Sequence, residues 1–116
     1  MIWTSKVSPL IKEVELRKPP VMIRVNKFDE KSAAEFSHKM AVAHSTGQKV
    51  IPIIIDSYGG QVYALMSMIA AIRASEIPVA TIVEGKAMSC GAVLLSFGED
   101  GMRFADPDAT IMIHDV

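Results

Sequence analysis

One run constrains the fold more than any other: VIPIIID, residues 50–56, is apolar at almost every position. A strand with one wet face alternates polar and apolar side chains. A continuous apolar run needs cover on both faces, which favours a parallel sheet. Pro52 has no N–H to give to a ladder and belongs near the strand's start. The run leads through SYGG, residues 57–60, into VYALMSMIAAIRAS from Val62, a helical segment with almost no charge. Such a helix is predicted to be buried over most of its circumference, against the sheet or another chain. Met66, Met68, Met88 and Met112 read as apolar fillers of that interior.

The same order recurs. PVATIV from Pro78 is rich in β-branched residues and reads as a second buried strand. It is followed by the turn KAMSCG and a helix over 90–98. Earlier, VMIRV (21–25) reads as a strand and DEKSAAEFSHKMAVAHS (29–45) as a helix. Asp29 or Asn26 is available to cap that helix, Ala33, Phe36, Met40 and Val42 or Ala43 form its apolar stripe, and Gly47 stops it. MRFADP (102–107) reads as a short strand entering a turn, and ATIMIHDV (109–116) as a last strand. Strands beginning near 21, 50, 79 and 110 with helices between the first three and after the third predict successive right-handed crossovers and an α/β fold with a mainly parallel sheet. Residues 1–20 read as an edge strand, through the alternation of KEVELRK, or as a flexible arm, closed by Pro19 and Pro20. No linker divides the chain, so residues 1–116 are expected to form one domain. Because an apolar strand runs to the last residue, that domain is expected to be incomplete at its C-terminus.

Composition narrows the function. Twelve basic and 13 acidic residues leave a formal charge of −1, so no net field draws in nucleic acid or an anionic membrane. A single cysteine, Cys90, allows no intrachain disulfide and fits a reducing compartment. No apolar stretch reaches the roughly 20 residues that span a bilayer. A cytoplasmic location is expected. Half the residues are apolar, a surplus for so short a chain that a partner surface could cover. Phosphate-binding and dinucleotide glycine motifs are absent, the histidines have no carboxylate or thiolate partners in a metal pattern, and no cofactor is expected.

The chemistry converges on GKAMSCG. Ser89 lies between a strand and a helix, with glycines on either side, where unpaired N–H groups and the helix dipole favour developing negative charge. Serine is equally a preferred N-cap, and that reading stands beside the catalytic one. In a parallel sheet the loops after the strands gather on one side, which would bring SYGG, Ser89 and His114 together. A serine nucleophile needs a base and two backbone donors for the oxyanion. Gly60 is the best candidate for one donor, and the main-chain N–H of Cys90 for the other. The Cys90 thiol reads as buried packing. His38 and His44, six residues apart on a surface helix, read as solvent-exposed. Lys86, three residues before Ser89, offers a Ser–Lys pairing but reads more simply as a solvated turn residue.

IDSYGGQVYALMSMIAAI followed by VEGKAMSCGAVLLSFGEDGMRFADPDATIMIHDV resembles the proteolytic subunit of Clp proteases, within the larger crotonase-like superfamily, over roughly residues 20–116. The resemblance implies a crotonase-like, Clp-peptidase fold. It places the nucleophile on Ser89, the histidine on His114, and the oxyanion amides on Gly60 and Cys90. It implies a serine peptidase acting on peptide or unfolded protein substrates through an acyl-enzyme, assembled as a homo-oligomer and served by a separate ATP-dependent unfoldase. Tyr58 stands where the family has proline. The family's third triad member, an aspartate, follows a further helix and strand beyond the histidine; it is unassigned here, since neither Asp56 nor Asp115 has a claim to orient His114. The 116-residue chain alone is accordingly expected to be inactive or nearly so. A non-catalytic structural subunit and a crotonase-like acyl-CoA enzyme are the alternatives.

Overall fold

The computed structural model describes Trp3–Ser5, Val14–Leu16 and residues 18–113, with side chains from residue 18 onward. Strands β1 (Trp3–Ser5) and β2 (Val14–Leu16) pair antiparallel with each other; the exposed strand expected in KEVELRK falls on β2. The main sheet comprises β3 (Ile23–Val25), β4 (Ile51–Ser57), β5 (Val79–Met88), β6 (Arg103–Ala105) and β7 (Thr110–Met112). Its order is β3-β4-β5-β6, with β7 also against β5, and every pairing is parallel. Helices α1 (Glu30–His44), α2 (Val62–Arg73) and α3 (Cys90–Leu95) follow β3, β4 and β5. The structure is thus an α/β fold of repeated strand–helix units on a mainly parallel sheet, as the order of segments predicts.

Local chemistry explains the elements. Ile53, Ile54 and Ile55 are all buried, so β4 is covered on both faces as its apolar run requires. The Ile51 N–H donates to the Pro78 carbonyl at 2.9 Å. Alternation therefore turns position 52 away from β5, toward a side where β3 has not yet begun to pair, and Pro52 breaks no ladder bond. Helix α1 starts with a capping box: Asp29 accepts from the Ser32 N–H at 2.8 Å and the Asp29 N–H donates to Ser32 Oγ at 2.9 Å. These hydrogen bonds to Ser32 hold the Asp29 carboxyl below the usual carboxylate range. The predicted stripe Ala33, Phe36, Met40 and Ala43 is buried, with Val42 half-buried. Buried Thr81 donates to the Leu95 carbonyl at 2.8 Å and so ties the C-terminal turn of α3 to β5.

Four expectations need correction. Helix α2 is not buried around most of its circumference. Ala64, Leu65 and Met68 face the core, while Val62, Tyr63 and Met66 are exposed. A helix with almost no charge has no polar face to mark its outside; packing beside α1 and α3 covers one stripe and leaves the rest apolar. Met66, 55% exposed, and Met112 are therefore not core fillers, whereas Met68 is fully buried. The strand expected to end before KAMSCG instead continues as β5 to Met88, and the helix expected over 90–98 is regular only to Leu95.

Candidate active site

Ser89 connects β5 to α3 with a backbone at φ 55° and ψ −116°, the one positive φ outside glycine among the described residues. A residue with a β-carbon in such a region is strained, and strain of this sort persists only where surrounding structure imposes it. Two bonds impose it here. The Ser89 N–H donates to the Met112 carbonyl of β7 at 2.9 Å, and the Ser89 carbonyl accepts from Val93 at 3.2 Å to start α3. Although Ser89 occupies the N-cap position, its hydroxyl makes no capping bond. The capping explanation for a serine at this position therefore fails, and the hydroxyl stands on a sharp strand-to-helix turn.

The SYGG loop lies directly against it. A β-carbon built on Gly59, whose φ is +113°, would fall 2.9 Å from Ser89 Cβ, 3.0 Å from the Met88 carbonyl oxygen and 3.4 Å from Ser89 Oγ, so only glycine allows this approach. One on Gly60 would lie 2.6 Å from the Phe28 carbonyl oxygen. That close approach is a strand-like bridge between Phe28 and Gly60, reinforced by the Gln61 N–H donating to Phe28 O at 2.8 Å. The loop's other end is held by buried Ser57, whose Oγ accepts from the Gly59 N–H at 3.0 Å.

This bonding distinguishes the two glycine donors. The Gly59 N–H is occupied by Ser57; among the described residues the Gly60 N–H has no protein acceptor. The Cys90 N–H opens α3, where an N–H has no intrahelical partner, and it too has none elsewhere among the described residues. The Cys90 thiol, buried as expected, donates to the Gly60 carbonyl at 3.5 Å, so the residues bearing the two predicted oxyanion donors are in contact. Since α3 is six residues long, an anion placed here would be held by individual N–H groups more than by a helix dipole.

Lys86 is not a solvated turn residue, and it is not placed as a base for Ser89. Its ammonium contacts Asp56 Oδ1 at 2.8 Å and lies 4.5 Å from the centroid of the Tyr58 ring. The hydrogen bond to Asp56 raises the lysine above its ordinary range and, reciprocally, holds the Asp56 carboxyl below the usual carboxylate range. Both partners stay charged near neutrality, and a protonated lysine cannot accept the serine's proton. Asp56 is likewise engaged. Sequence reasoning missed this three-residue cluster because Asp56 and Lys86 are 30 residues apart and no local spacing pairs them. His38 is exposed; His44, also exposed, lies 2.7 Å from the Met40 carbonyl through Nδ1 and 3.1 Å from Ser75 Oγ through Nε2. His114 and Asp115 lie outside the described residues, although β7, which leads to them, runs beside Met88.

The fold and site define an α/β protein whose parallel sheet carries a strained serine at a strand-to-helix turn, with a glycine loop packed against it. The chain belongs to the Clp protease family, whose model matches residues 10–116. It is 43% identical over 67 residues to an ATP-dependent Clp protease proteolytic subunit of Deinococcus radiodurans, covering 58% of this chain and 33% of that protein. It is 42% identical over 87 residues to ATP-dependent Clp protease proteolytic subunit 1 of Chlamydia muridarum, covering 73% of this chain and 45% of that protein. The alignments thus span between a third and a half of these relatives' length.

Proposed function

We propose that the chain carries the nucleophile and oxyanion site of a serine peptidase. The observation that carries this reading is the Ser89 backbone: a strained serine whose hydroxyl makes no capping bond, packed against a glycine loop. In the proposed reaction Ser89 Oγ attacks the scissile carbonyl while His114 accepts its proton, and the Gly60 and Cys90 N–H groups hold the oxyanion. His114 then returns the proton to the leaving amine. Water, deprotonated by the same histidine, releases the acyl group and regenerates Ser89. The third triad position is assigned to none of the described residues, since Asp56 is committed to Lys86.

The substrate class is peptide or unfolded protein, and no cofactor takes part. Family membership supports self-association and service by a separate ATP-dependent unfoldase. The exposed apolar face of α2, with Val62, Tyr63 and Met66, supports self-association independently. Tyr58 at the oxyanion loop keeps a non-catalytic, structural role for the chain as the competing reading. An active-serine phosphonate decides between them. In a chain extended past Val116 to supply the third triad member, labelling confined to Ser89 by peptide mapping, and abolished in Ser89→Ala, is expected; no labelling of that wild type, or undiminished labelling of the variant, would refute the nucleophile assignment.

A further inference from the structure

Strands β4 and β5 run in register up to Ile55 opposite Val83 and resume at Ser57 opposite Ala87. One residue of β4, Asp56, therefore faces three of β5, Glu84, Gly85 and Lys86. Bulges of this kind bend a strand and re-aim the residues beyond them; Ser89 lies three residues beyond Lys86. The bulge is filled by the Asp56 carboxylate, since a β-carbon on Gly85 would meet Asp56 Oδ1 at 2.9 Å. Asp56 is anchored on its other side by Asn26, whose Nδ2 donates to the Asp56 carbonyl at 3.0 Å. Arg24 and Glu84 form a second ion pair across the same strand ends, 2.9 Å from Arg24 Nη2 to each carboxylate oxygen. Asp56 thus has Lys86 as its direct counter-charge.

Lys86 also reaches the loop. Tyr58 directly succeeds the last residue of β4 and is 75% exposed, so packing in the core does not hold it. Its ring instead lies under the Lys86 ammonium, an arrangement in which the cation is attracted to the face of the ring. A single side chain thereby joins the bulge that aims Ser89 to the residue that precedes Gly59 and Gly60.

We propose that Lys86 is a positioning residue: gripped by Asp56 and stacked on Tyr58, it locks the glycine loop in register with the serine turn and keeps the Gly60 N–H aimed at the oxyanion. Its effect on catalysis rests on the reading of Ser89 as nucleophile, while the lock itself does not. Lys86→Met keeps the apolar stem and removes the charge. Lys86→Arg keeps a charge that can both pair with a carboxylate and stack on an aromatic ring.

The test measures amide hydrogen exchange and phosphonate labelling on the wild type and both variants, each extended past Val116 to supply the third triad member. In Lys86→Met the Gly59 and Gln61 amides, which flank Gly60 and are bonded to Ser57 and Phe28, are expected to exchange about tenfold faster while Ile53 and Val83 amides in the sheet are unchanged; Ser89 labelling is expected to slow by about tenfold, as a misplaced catalytic group does. Lys86→Arg is expected to restore both. Equal exchange at Gly59 and Gln61 in wild type and Lys86→Met would overturn the lock. So would faster exchange spread evenly over the sheet, which marks general destabilisation, or failure of arginine to rescue. If the wild type is not labelled, the nucleophile reading falls and the glycine-loop amides alone decide the lock.

Discussion

Replacing Ser89 by glycine is expected to stabilise the fold while removing the nucleophile, and replacing it by alanine is expected to remove the nucleophile without that gain. The backbone at φ 55° and ψ −116° holds a side chain in a region that costs about 1–3 kcal/mol. The bond from its N–H to Met112 O at 2.9 Å is a main-chain bond that either variant keeps, and its hydroxyl makes no capping bond to lose. Glycine relieves the strain but its freer unfolded chain offsets about 0.5–1 kcal/mol of the benefit. The net gain is then about 0–2.5 kcal/mol for Ser89→Gly, centred on about 1 kcal/mol. Alanine retains the β-carbon and therefore the strain, so it should stay within about 0.5 kcal/mol of the wild type. Urea unfolding monitored by far-ultraviolet circular dichroism, with unchanged slopes, separates the two. In thermal unfolding a gain of 1 kcal/mol corresponds to about 4 °C for a chain of this size. A glycine variant no more stable than the alanine variant would mean that the turn stores no strain, and the argument that Ser89 is held there for chemistry would fail.

Met68 and Met66, two residues apart on α2, should behave oppositely. Met68→Ala should cost about 2–5 kcal/mol because the side chain is fully buried. Met66→Ala should cost under about 0.5 kcal/mol in unfolding yet shift sedimentation toward smaller species, because Met66 lies on the exposed apolar face. A large unfolding loss at Met66, or sedimentation unmoved in a self-associating wild type, would refute that placement. The Lys86 lock should also be indifferent to pH across the neutral range. Asp56 is lowered by its hydrogen bond from Lys86, so its contribution is present above the ordinary carboxylate range and disappears as pH falls through the depressed value. Lys86 is raised by the same bond, so its contribution is present below the ordinary lysine range and disappears as pH rises through the elevated value. The Asp56 side-chain carboxyl carbon shift should accordingly stay flat between those limits and move beyond them; a titration of Asp56 itself near neutrality would contradict the pairing.

Much of the architecture was legible in the residues themselves because its signals are local. The unbroken run at 50–56 needs two covered faces wherever it sits. Asp29 caps α1 through a residue three positions away, and the stripe Ala33, Phe36, Met40 and Ala43 matches helical spacing. Order along the chain likewise placed SYGG and Ser89 after neighbouring parallel strands, and the two meet in the structure. Tertiary structure decided the rest. Which face of α2 is buried was unreadable because nearly all its residues are apolar, so only packing against the rest of the fold separates Met68 from Met66. The length of β5 was unreadable because its bulge depends on Asp56, 30 residues from Lys86, filling the space beside Gly85. That the Ser89 hydroxyl does not cap α3 goes with its φ angle, and that backbone is held by the bond to Met112 from a strand that the chain reaches only 23 residues later. Residue type and spacing determine what a segment can form; strain, register and charge pairing exist only between segments, once the fold has brought them together.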